Sequence, residues 1–293
     1  MPNNYLDAMK LFRYGKLNEE KTGILINNIH YDTSDFGEDY DNNFLATGGI
    51  ERLEAFISKN QTNLKAIPPD SRIGTPIANP NKIVCVGLNY SDHAAETGLV
   101  QEQEPILFLK AISALNGPFD DIMIPKNSFH TDWETELAVV IGKKGTHVPV
   151  TESTDYIAGY VMMNDVTERH FMKHRGGTWD KGKGYNTFAP LGPYFVTKDE
   201  IKDDGNLRIW LKLNGTLMQE GNTKDFITPV KELISYISDF FGLFPGDIIS
   251  TGSPSGTGIG HVPQRFLVEG DEIEYGIEGL GSSKNKIINY QKD

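Results

Sequence analysis

Short apolar runs rich in β-branched and aromatic residues recur along the chain, with turn-forming residues between them. Runs of this length and composition are typical of β-strands. They predict strand-then-turn units that begin at residues 247 and 271. They also predict strands at 9–16, 22–28, 83–87, 105–110, 121–125, 135–142, 156–166, 192–197 and 207–215.

Helical spacing of apolar residues is confined to a few segments. It predicts helices at 49–59 and 229–247, and a short helix in "SDHAAETG" that stops at Gly98. Strands dominate, and the helices do not alternate regularly with them. The pattern therefore favours an all-β roll or sandwich, or an α+β, mainly β one, over a doubly wound parallel sheet.

The chain has 293 residues, enough for one large domain or for a large and a small one. The acidic stretch 32–43 is typical of a loop, and the Pro-rich stretch 66–82 is typical of a linker. We therefore predict a small N-terminal α+β domain over residues 1–70 and a larger domain over residues 71–293.

The net charge is −12, and the Lys and Arg residues form no basic run, which argues against nucleic acid and anionic membranes as partners. Cys85 is the single cysteine, so a reducing compartment fits. No apolar run approaches the ~20 residues of a transmembrane helix. The N-terminus lacks the apolar region of a signal peptide. We expect a cytoplasmic protein.

The stretch "TDWETELAVVIG" places Glu134 and Glu136 at the start of an apolar strand. Residues i and i+2 of a strand share a face, so the two carboxylates repel unless they are solvated, protonated or bridged by a cation. A solvated strand end is one interpretation, and a divalent cation is the other. Asp165 follows another apolar strand and is either a third oxygen ligand or a helix N-cap.

Two further motifs could contribute to catalysis. His93 and Glu96 are spaced i and i+3, so they share a helical face, either as an exposed pair or as a general base with its orienting carboxylate. "WDKGKG" offers Lys181 and Lys183 beside glycines, in an exposed loop or a ligand site. The Ser/Thr/Gly-rich turn 250–260 lacks the lysine of a phosphate-binding loop and suits a carboxylate better.

Seven motifs in chain order resemble those of the fumarylacetoacetate hydrolase family. The resemblance covers about residues 66–288, and the N-terminal strands resemble the family's small first domain more weakly. The motifs are "KIVCVGLNYSDHAAETG", "ILFLKAISALNGPFDDIMIP", "TDWETELAVVIGK", "IAGYVMMNDVTERHF", "WDKGKGYNTFAPLGPYFVT", "GDIISTGSPSGTGIG" and "GDEIEYGIEGLG".

The resemblance implies a mixed β-sandwich roll, a homodimer and a Mg²⁺ or Mn²⁺ site. Its metal ligands would be Glu134, Glu136 and Asp165, with His93 and Glu96 activating water and Lys183 stabilising negative charge on the substrate. We expect substrate contacts from six residues: Lys110, Thr251, Gly252, Ser253, Asn89 and Arg169.

Four positions depart from common family patterns. They are Thr178 in place of Gln, Asn186 in place of Asp, Ser253 in place of Thr and Val268 in place of Lys. We expect Thr178 and Asn186 to lie near the pocket, where they would affect substrate identity rather than the reaction class.

The resemblance therefore implies a hydrolase that cleaves a C–C bond in a 2,4-dioxo acid. The expected substrate is 2,4-diketo-3-deoxy-L-fuconate or -rhamnonate, which would yield pyruvate and L-lactate. Oxaloacetate decarboxylation, 2-oxo-enoate hydration or isomerisation, and ureidoglycolate lyase activity are alternatives on the same metal site. A non-catalytic metal-dependent binding protein is a third class, against which the complete set of ligands, base pair and lysine argues.

Overall fold

The structure is a computed structural model that describes residues 9–97 and 104–292. Its strands are β1 Lys10–Tyr14, β2 Lys21–Ile26, β3 Ile29–Asp32, β4 Ile73–Gly74, β5 Ile83–Gly87, β6 Ile106–Lys110, β7 Leu115–Asn116, β8 Ile122–Ile124, β9 Thr131–Asp132, β10 Thr135–Ile141, β11 Ile157–Asn164, β12 Thr167–Glu168, β13 Ala189–Pro190, β14 Phe195–Thr197, β15 Arg208–Leu213, β16 Thr216–Asn222, β17 Ile248–Ser250, β18 Glu272–Ile277 and β19 Gly281–Asn289. Its helices are α1 Asn42–Ala46, α2 Gly49–Asn60, α3 Ser91–Thr97, α4 Arg169–His174, α5 Asp180–Lys183 and α6 Val230–Phe240.

Two large sheets account for most strands. The larger follows the order β3-β2-β1-β14-β11-β10-β17-β5-β6, with β4 beside β1, and the smaller follows β16-β15-β18-β19-β8. Most pairs are antiparallel, whereas β17–β5 and β19–β8 are parallel. The fold is thus mainly β with mixed sheets and few helices, as the sequence pattern predicts.

The centre of the larger sheet is the centre of the core. Every residue of β10 and β11 is buried, because both faces of these strands are covered. The two strands pair antiparallel from Thr135↔Asn164 onwards, so the start of β10 lies beside the end of β11. This register brings the residues that flank these two strand ends together.

The N-terminal strands continue the larger sheet. β1 pairs with β14 through Lys10↔Val196 and with β4 through Arg13↔Gly74. The salt bridges of Arg72 to Glu20 and Asp120 add to this junction. The domain boundary between residues 70 and 71 stays a prediction.

Several elements differ from the sequence pattern. Helix α6 ends at Phe240 rather than near 247, because Phe241 is extended and Leu243 forms a bridge with Gly145. The stretch 32–43, expected to be a loop, includes the start of α1. β19 was not predicted, because Ser283 and Asn285 take buried positions in its alternation. Gly98, the expected helix stop, lies outside the described residues.

Helix length and polarity bear on membrane insertion. In residues 9–97 and 104–292, no helix combines the length and the apolar character that a bilayer crossing requires.

Candidate active site and metal centre

Three carboxylates converge where β10 begins and β11 ends. Glu134 precedes β10, Glu136 lies within it, and Asp165 directly follows β11. The backbone N–H of Asp165 donates to the carbonyl of Glu134 over 2.8 Å, which fixes the two segments side by side. One oxygen from each carboxylate lies within 4.8 Å of the others, and all three side chains are buried. The interpretation of the glutamates as a solvated strand end is therefore wrong.

Glu136 is held by neutral donors. Its Oε2 accepts from the Ser250 hydroxyl over 2.6 Å and from the Gly252 N–H over 3.0 Å. Burial raises the pKa of Glu136 well above its ordinary value, and the charges of Asp165 and Glu134 raise it further. The carboxylate therefore lies in an environment that favours an added positive charge.

Lys183 joins the other two carboxylates. Its Nζ lies 2.6 Å from Glu134 Oε2 and 2.6 Å from Asp165 Oδ2, while Lys110 Nζ lies 2.6 Å from Asp165 Oδ1. Burial lowers the pKa of Lys183, but the charges of Asp165 and Glu134 outweigh it and raise the pKa above its ordinary value. Both lysines are buried as cations beside the carboxylates.

Arg169 connects the centre to a neighbouring loop. Its Nε donates to Asp132 Oδ2 over 2.7 Å, and its Nη2 lies 2.7 Å from Glu134 Oε1 as an ion pair without hydrogen-bond alignment. Burial raises the pKa of Glu134, but the charges of Arg169 and Lys183 outweigh it and lower the pKa below its ordinary value. Glu134 is thus an anion that protein groups already surround on three sides.

Asp132 is a site residue that the sequence patterns missed. It is fully buried and accepts from the backbone N–H groups of Gly258 over 2.6 Å and Ile259 over 3.1 Å. With Arg169 it forms a link from the turn 256–260 to the metal-ligand candidates. The only signal in the sequence was an aspartate two residues before Glu134, a residue type that is more often exposed.

His93 and Glu96 lie at the entrance to the carboxylates. His93 is buried; its Nδ1 lies 3.1 Å from Glu96 Oε2 and its Nε2 lies 3.8 Å from Glu134 Oε1. Glu96 in turn accepts from the Gly256 N–H over 3.0 Å. The pair is therefore not an exposed helical pair, and it presents Nε2 beside the metal-ligand candidates.

The turn 250–260 is braced from below by Trp133. The indole is fully buried, and its Nε1–H donates to the carbonyl of Gly256 over 3.0 Å. Thr135 is also fully buried, and its N–H donates to the side chain of Gln219 over 3.1 Å. Thr135 therefore takes part in packing, as expected, and Trp133 positions the residue whose N–H holds Glu96.

The remaining expected substrate contacts bind the protein itself. Thr251 Oγ1 donates to the carbonyl of Leu137 over 2.8 Å, and Asn89 Nδ2 donates to the carbonyl of Thr251 over 2.8 Å. Ser253 Oγ accepts from Gln219 Nε2 over 2.8 Å. Of the six expected contacts, Ser253 and Arg169 line the central pocket. Direct substrate contact from any of the six stays a prediction.

The central pocket has a free volume of about 450 Å³, including its open mouth. Neither Thr178 nor Asn186 is among the described residues that line it, although Thr178 directly precedes the lining residue Trp179, and Asn186 lines a separate cavity. The expectation that both lie near the pocket stays a prediction. The pocket is lined by Val86, Gly87, Leu88, His93, Phe108, Glu134, Glu136, Asp165, Arg169, Met172, Lys173, Trp179, Lys183, Ser253 and Ile259.

The donor set fits a hard divalent cation. Three buried carboxylates offer oxygen ligands from rigid strand ends, and Mg²⁺ and Mn²⁺ prefer such ligands. The absence of an ion pair on Glu136 among the described residues leaves one ligand without a compensating cation. Glu134, Glu136 and Asp165 therefore form a candidate metal site.

Comparison with known proteins agrees with this geometry. The sequence profile of the fumarylacetoacetate (FAA) hydrolase C-terminal domain matches residues 82–288, which include all three carboxylates. The chain belongs to the fumarylacetoacetate hydrolase family. The coarse activity follows with the family, so the chain is a hydrolase of the fumarylacetoacetate hydrolase type.

Individual relatives cover nearly the whole chain. A 2,4-didehydro-3-deoxy-L-rhamnonate hydrolase from Sphingomonas sp. (strain SKA58) is 43% identical over 290 residues, covering 97% of each chain. Fumarylacetoacetate hydrolase from the psychrophilic Exiguobacterium antarcticum superposes with a TM-score of 0.85 at 30% identity, covering 96% of this chain and 100% of its own. Maleylpyruvate hydrolase from Sphingobium sp. SYK-6, in complex with manganese(II) and pyruvate, superposes with a TM-score of 0.81 at 29% identity, covering 97% and 100%.

Proposed function

We propose that this protein is a divalent-metal-dependent hydrolase that cleaves the C3–C4 bond of a 2,4-dioxo acid. The proposed substrate is 2,4-diketo-3-deoxy-L-fuconate or -rhamnonate, and the products are pyruvate and L-lactate. The observation that carries the proposal is the joint position of three buried carboxylates and a buried imidazole. His93 Nε2 lies 3.8 Å from Glu134, and the ligand oxygens lie within 4.8 Å of one another.

Glu134, Glu136 and Asp165 would hold Mg²⁺ or Mn²⁺. The bound ion supplies Lewis-acid polarisation of the carboxylate and 2-oxo groups of the substrate. The relative from Sphingobium sp. SYK-6, crystallised with manganese(II) and pyruvate, supports a 2-oxo acid at such a site.

His93 supplies the base. Its Nδ1 faces Glu96, so the proton resides on Nδ1 and the Nε2 lone pair faces the pocket. Nε2 takes a proton from water, and the water oxygen bonds to the C4 carbonyl carbon. Glu96 stabilises the resulting imidazolium, and Gly256 and Trp133 keep Glu96 in place.

The C3–C4 bond then breaks, and its electron pair passes to the pyruvate half as an enolate. Lys183 places its ammonium group in the middle of the site, where it stabilises the negative charge on the departing enolate. The His93 imidazolium returns its proton to C3, which gives pyruvate, and the C4 half leaves as lactic acid, which ionises to lactate. One water is consumed, and no oxidant or reductant is needed.

The charges of the site favour an anionic substrate together with a cation. Four buried carboxylates (Asp132, Glu134, Glu136 and Asp165) are accompanied by three buried cations (Lys110, Arg169 and Lys183). These groups together carry one excess negative charge. A bound divalent ion would change this to one excess positive charge, which a substrate with a single carboxylate would neutralise. The relative acting on 2,4-didehydro-3-deoxy-L-rhamnonate, at 43% identity, supports a deoxy sugar acid.

A substrate panel tests the proposal. The Mn²⁺- or Mg²⁺-loaded protein is incubated with the deoxy sugar acid, acetylpyruvate, oxaloacetate and ureidoglycolate, and pyruvate, lactate and glyoxylate are measured. We expect pyruvate and lactate in equal amounts from the sugar acid. Pyruvate from oxaloacetate alone would assign a decarboxylase instead, and glyoxylate from ureidoglycolate would assign a lyase. The homodimer and the cytoplasmic location stay predictions of the sequence.

A further inference from the structure

Helix α4 presents one face to the central pocket. Arg169, Met172 and Lys173 are spaced i, i+3 and i+4, so they share a helical face, and all three line the pocket. Arg169 is committed to Asp132 and Glu134, and Met172 is buried. Lys173 is solvent-accessible, and no role in the site has been assigned to it.

Among the described residues that line the pocket, Lys173 is a cation without a direct ion-pair partner. Lys183 pairs with Glu134 and Asp165, and Arg169 pairs with Asp132 and Glu134. Among residues 9–97 and 104–292, no side chain forms an ion pair or hydrogen bond with Lys173 Nζ. A ligand in the pocket would therefore meet an ammonium group that is available for binding.

The environment of Lys173 is partly desolvated. Burial lowers the pKa of Lys173, and the charge of Arg169 lowers it further, while the weaker opposing effect comes from Asp132. An ammonium group under these conditions gains more from an oxygen ligand than one in open water does. This supports a binding role over mere solvation of the surface.

The apolar lining leaves few other polar contacts for the far end of a substrate. Phe108 and Trp179 pack with ring centroids 5.2 Å apart, and Lys183 Nζ lies 4.8 Å from the Phe108 ring centroid. Gly87 makes room for Trp179, because a Cβ on Gly87 would lie 2.6 Å from the indole. An aromatic wall thus extends from the reacting centre.

We infer that Lys173 is a specificity-determining residue that binds an oxygen at the distal end of the 2,4-dioxo acid, beyond the scissile bond. The inference rests on the proposed function, and it names the substrate class as 2,4-dioxo acids with a distal hydroxyl or carboxylate. A distal carboxylate would gain the most binding free energy from the Lys173 ammonium group, and a distal hydroxyl would gain less. An unsubstituted methyl ketone would gain none.

The test compares Lys173→Met with three substrates: acetylpyruvate, the 2,4-diketo-3-deoxy sugar acid and succinylpyruvate. These have no distal oxygen group, a distal hydroxyl and a distal carboxylate. We expect kcat/KM to fall about 10- to 100-fold for succinylpyruvate, less for the sugar acid and less than about 2-fold for acetylpyruvate. The loss should reside in KM, because the distal group lies away from the reacting atoms. Lys126→Met, at an exposed lysine that does not line the pocket, is the matched control.

An equal loss for all three substrates would show a structural role and overturn the inference, as would no loss for any. A binding measurement separates this failure from failure of the proposed function. The Mn²⁺-loaded protein is titrated with pyruvate and with 2-oxoglutarate, whose second carboxylate replaces the distal group. If the wild type hydrolyses no substrate but Lys173→Met weakens 2-oxoglutarate alone, the hydrolase proposal fails and the binding role stands. Unchanged affinity for both ligands would overturn the binding role.

Discussion

The Nζ of Lys183 lies 2.6 Å from Asp165 Oδ2, in the middle of the carboxylates that form the candidate metal site. The same nitrogen lies 2.6 Å from Glu134 Oε2. One buried cation therefore pairs with two of the three metal-ligand candidates from within the protein. In the proposed mechanism, the lysine would be both a structural counter-ion and a cation that stabilises the charge developing during cleavage.

Replacement of Lys183 by Met should affect stability and turnover separately. Removing one partner from buried ion pairs destabilises by about 3–5 kcal/mol, so the metal-free variant should melt at a lower temperature. Mn²⁺ should recover part of that loss, because it supplies positive charge to the same carboxylates. Turnover should still fall about 10²- to 10³-fold with saturating metal. Lys181→Met, on the exposed side of the same helix, is the control and should melt within about 1 °C of the wild type. If metal-free Lys183→Met melted at the same temperature as the metal-free wild type, the role of Lys183 as a structural counter-ion would be contradicted.

The stability of the metal-free protein should depend on pH through Glu136. The pKa of Glu136 in the folded state lies above the ordinary value of 4.5, so the folded protein favours the protonated carboxyl group. The contribution of Glu136 to the free energy of unfolding is fully present at pH values below its ordinary pKa. It is lost as the pH rises through the raised pKa of the folded state. Because a cation binds the ionised form, the rise in melting temperature produced by Mn²⁺ should grow as the pH increases from 5 to about 8.

Glu136→Gln checks the same relationship, because the amide copies the neutral carboxyl group. This variant should retain its metal-free stability over that pH range and lose the metal-induced rise. Differential scanning calorimetry at three pH values, with and without Mn²⁺, measures both effects. A metal-induced rise of wild-type size in Glu136→Gln would remove Glu136 from the ligand set.

His93→Ala should lose catalysis without losing metal. His93 is not one of the three candidate metal ligands. The Mn²⁺ affinity measured by isothermal titration should therefore stay within about 3-fold of the wild type. Without a general base, kcat should fall about 10²- to 10⁴-fold. His147→Ala, which alters an exposed histidine paired with Asp239, should leave both quantities unchanged. Unchanged kcat in His93→Ala would exclude His93 as the base.

Gly260→Ala should displace Glu96, the carboxylate of the His93–Glu96 pair. A Cβ at residue 260 would lie 1.7 Å from Glu96 Oε1, so the carboxylate must move away. The bond from the Gly256 N–H would then weaken, and kcat should fall about 10-fold or more with little change in metal affinity. At Gly205 a Cβ would lie 3.3 Å from Asp203 Oδ1, and Gly205→Ala should retain wild-type kcat. Equal rates in the two variants would show that Glu96 needs no fixed position.

The sequence indicated the ligand candidates because their geometry is local. Glu134 and Glu136 are spaced to share a strand face, and Asp165 follows a strand whose apolar character is evident. Their joint role as metal ligands was implied by the family resemblance, and the register Thr135↔Asn164 brings the three residues together.

The long-range partners could not be predicted in the same way. The pairing of Lys110 with Asp165 spans 55 residues, and that of Arg169 with Asp132 spans 37 residues. Neither pairing leaves a periodic pattern in the sequence, so both cations were expected to face the substrate. The polar alternation of β19 and the early end of α6 were missed because tertiary contacts, rather than propensity, determine them.

The counter-ions of the site have a consequence for the order of folding and metal binding. In small zinc domains metal binding and folding occur together, because the unfolded chain holds no preformed site and the binding free energy is needed for folding. Here Lys110, Lys183 and Arg169 are covalent parts of the chain and accompany the carboxylates into the core. We therefore expect folding and metal binding to be separable steps. Under the proposed metal dependence, a cell short of divalent ions would accumulate folded but inactive protein that recovers when the ion returns.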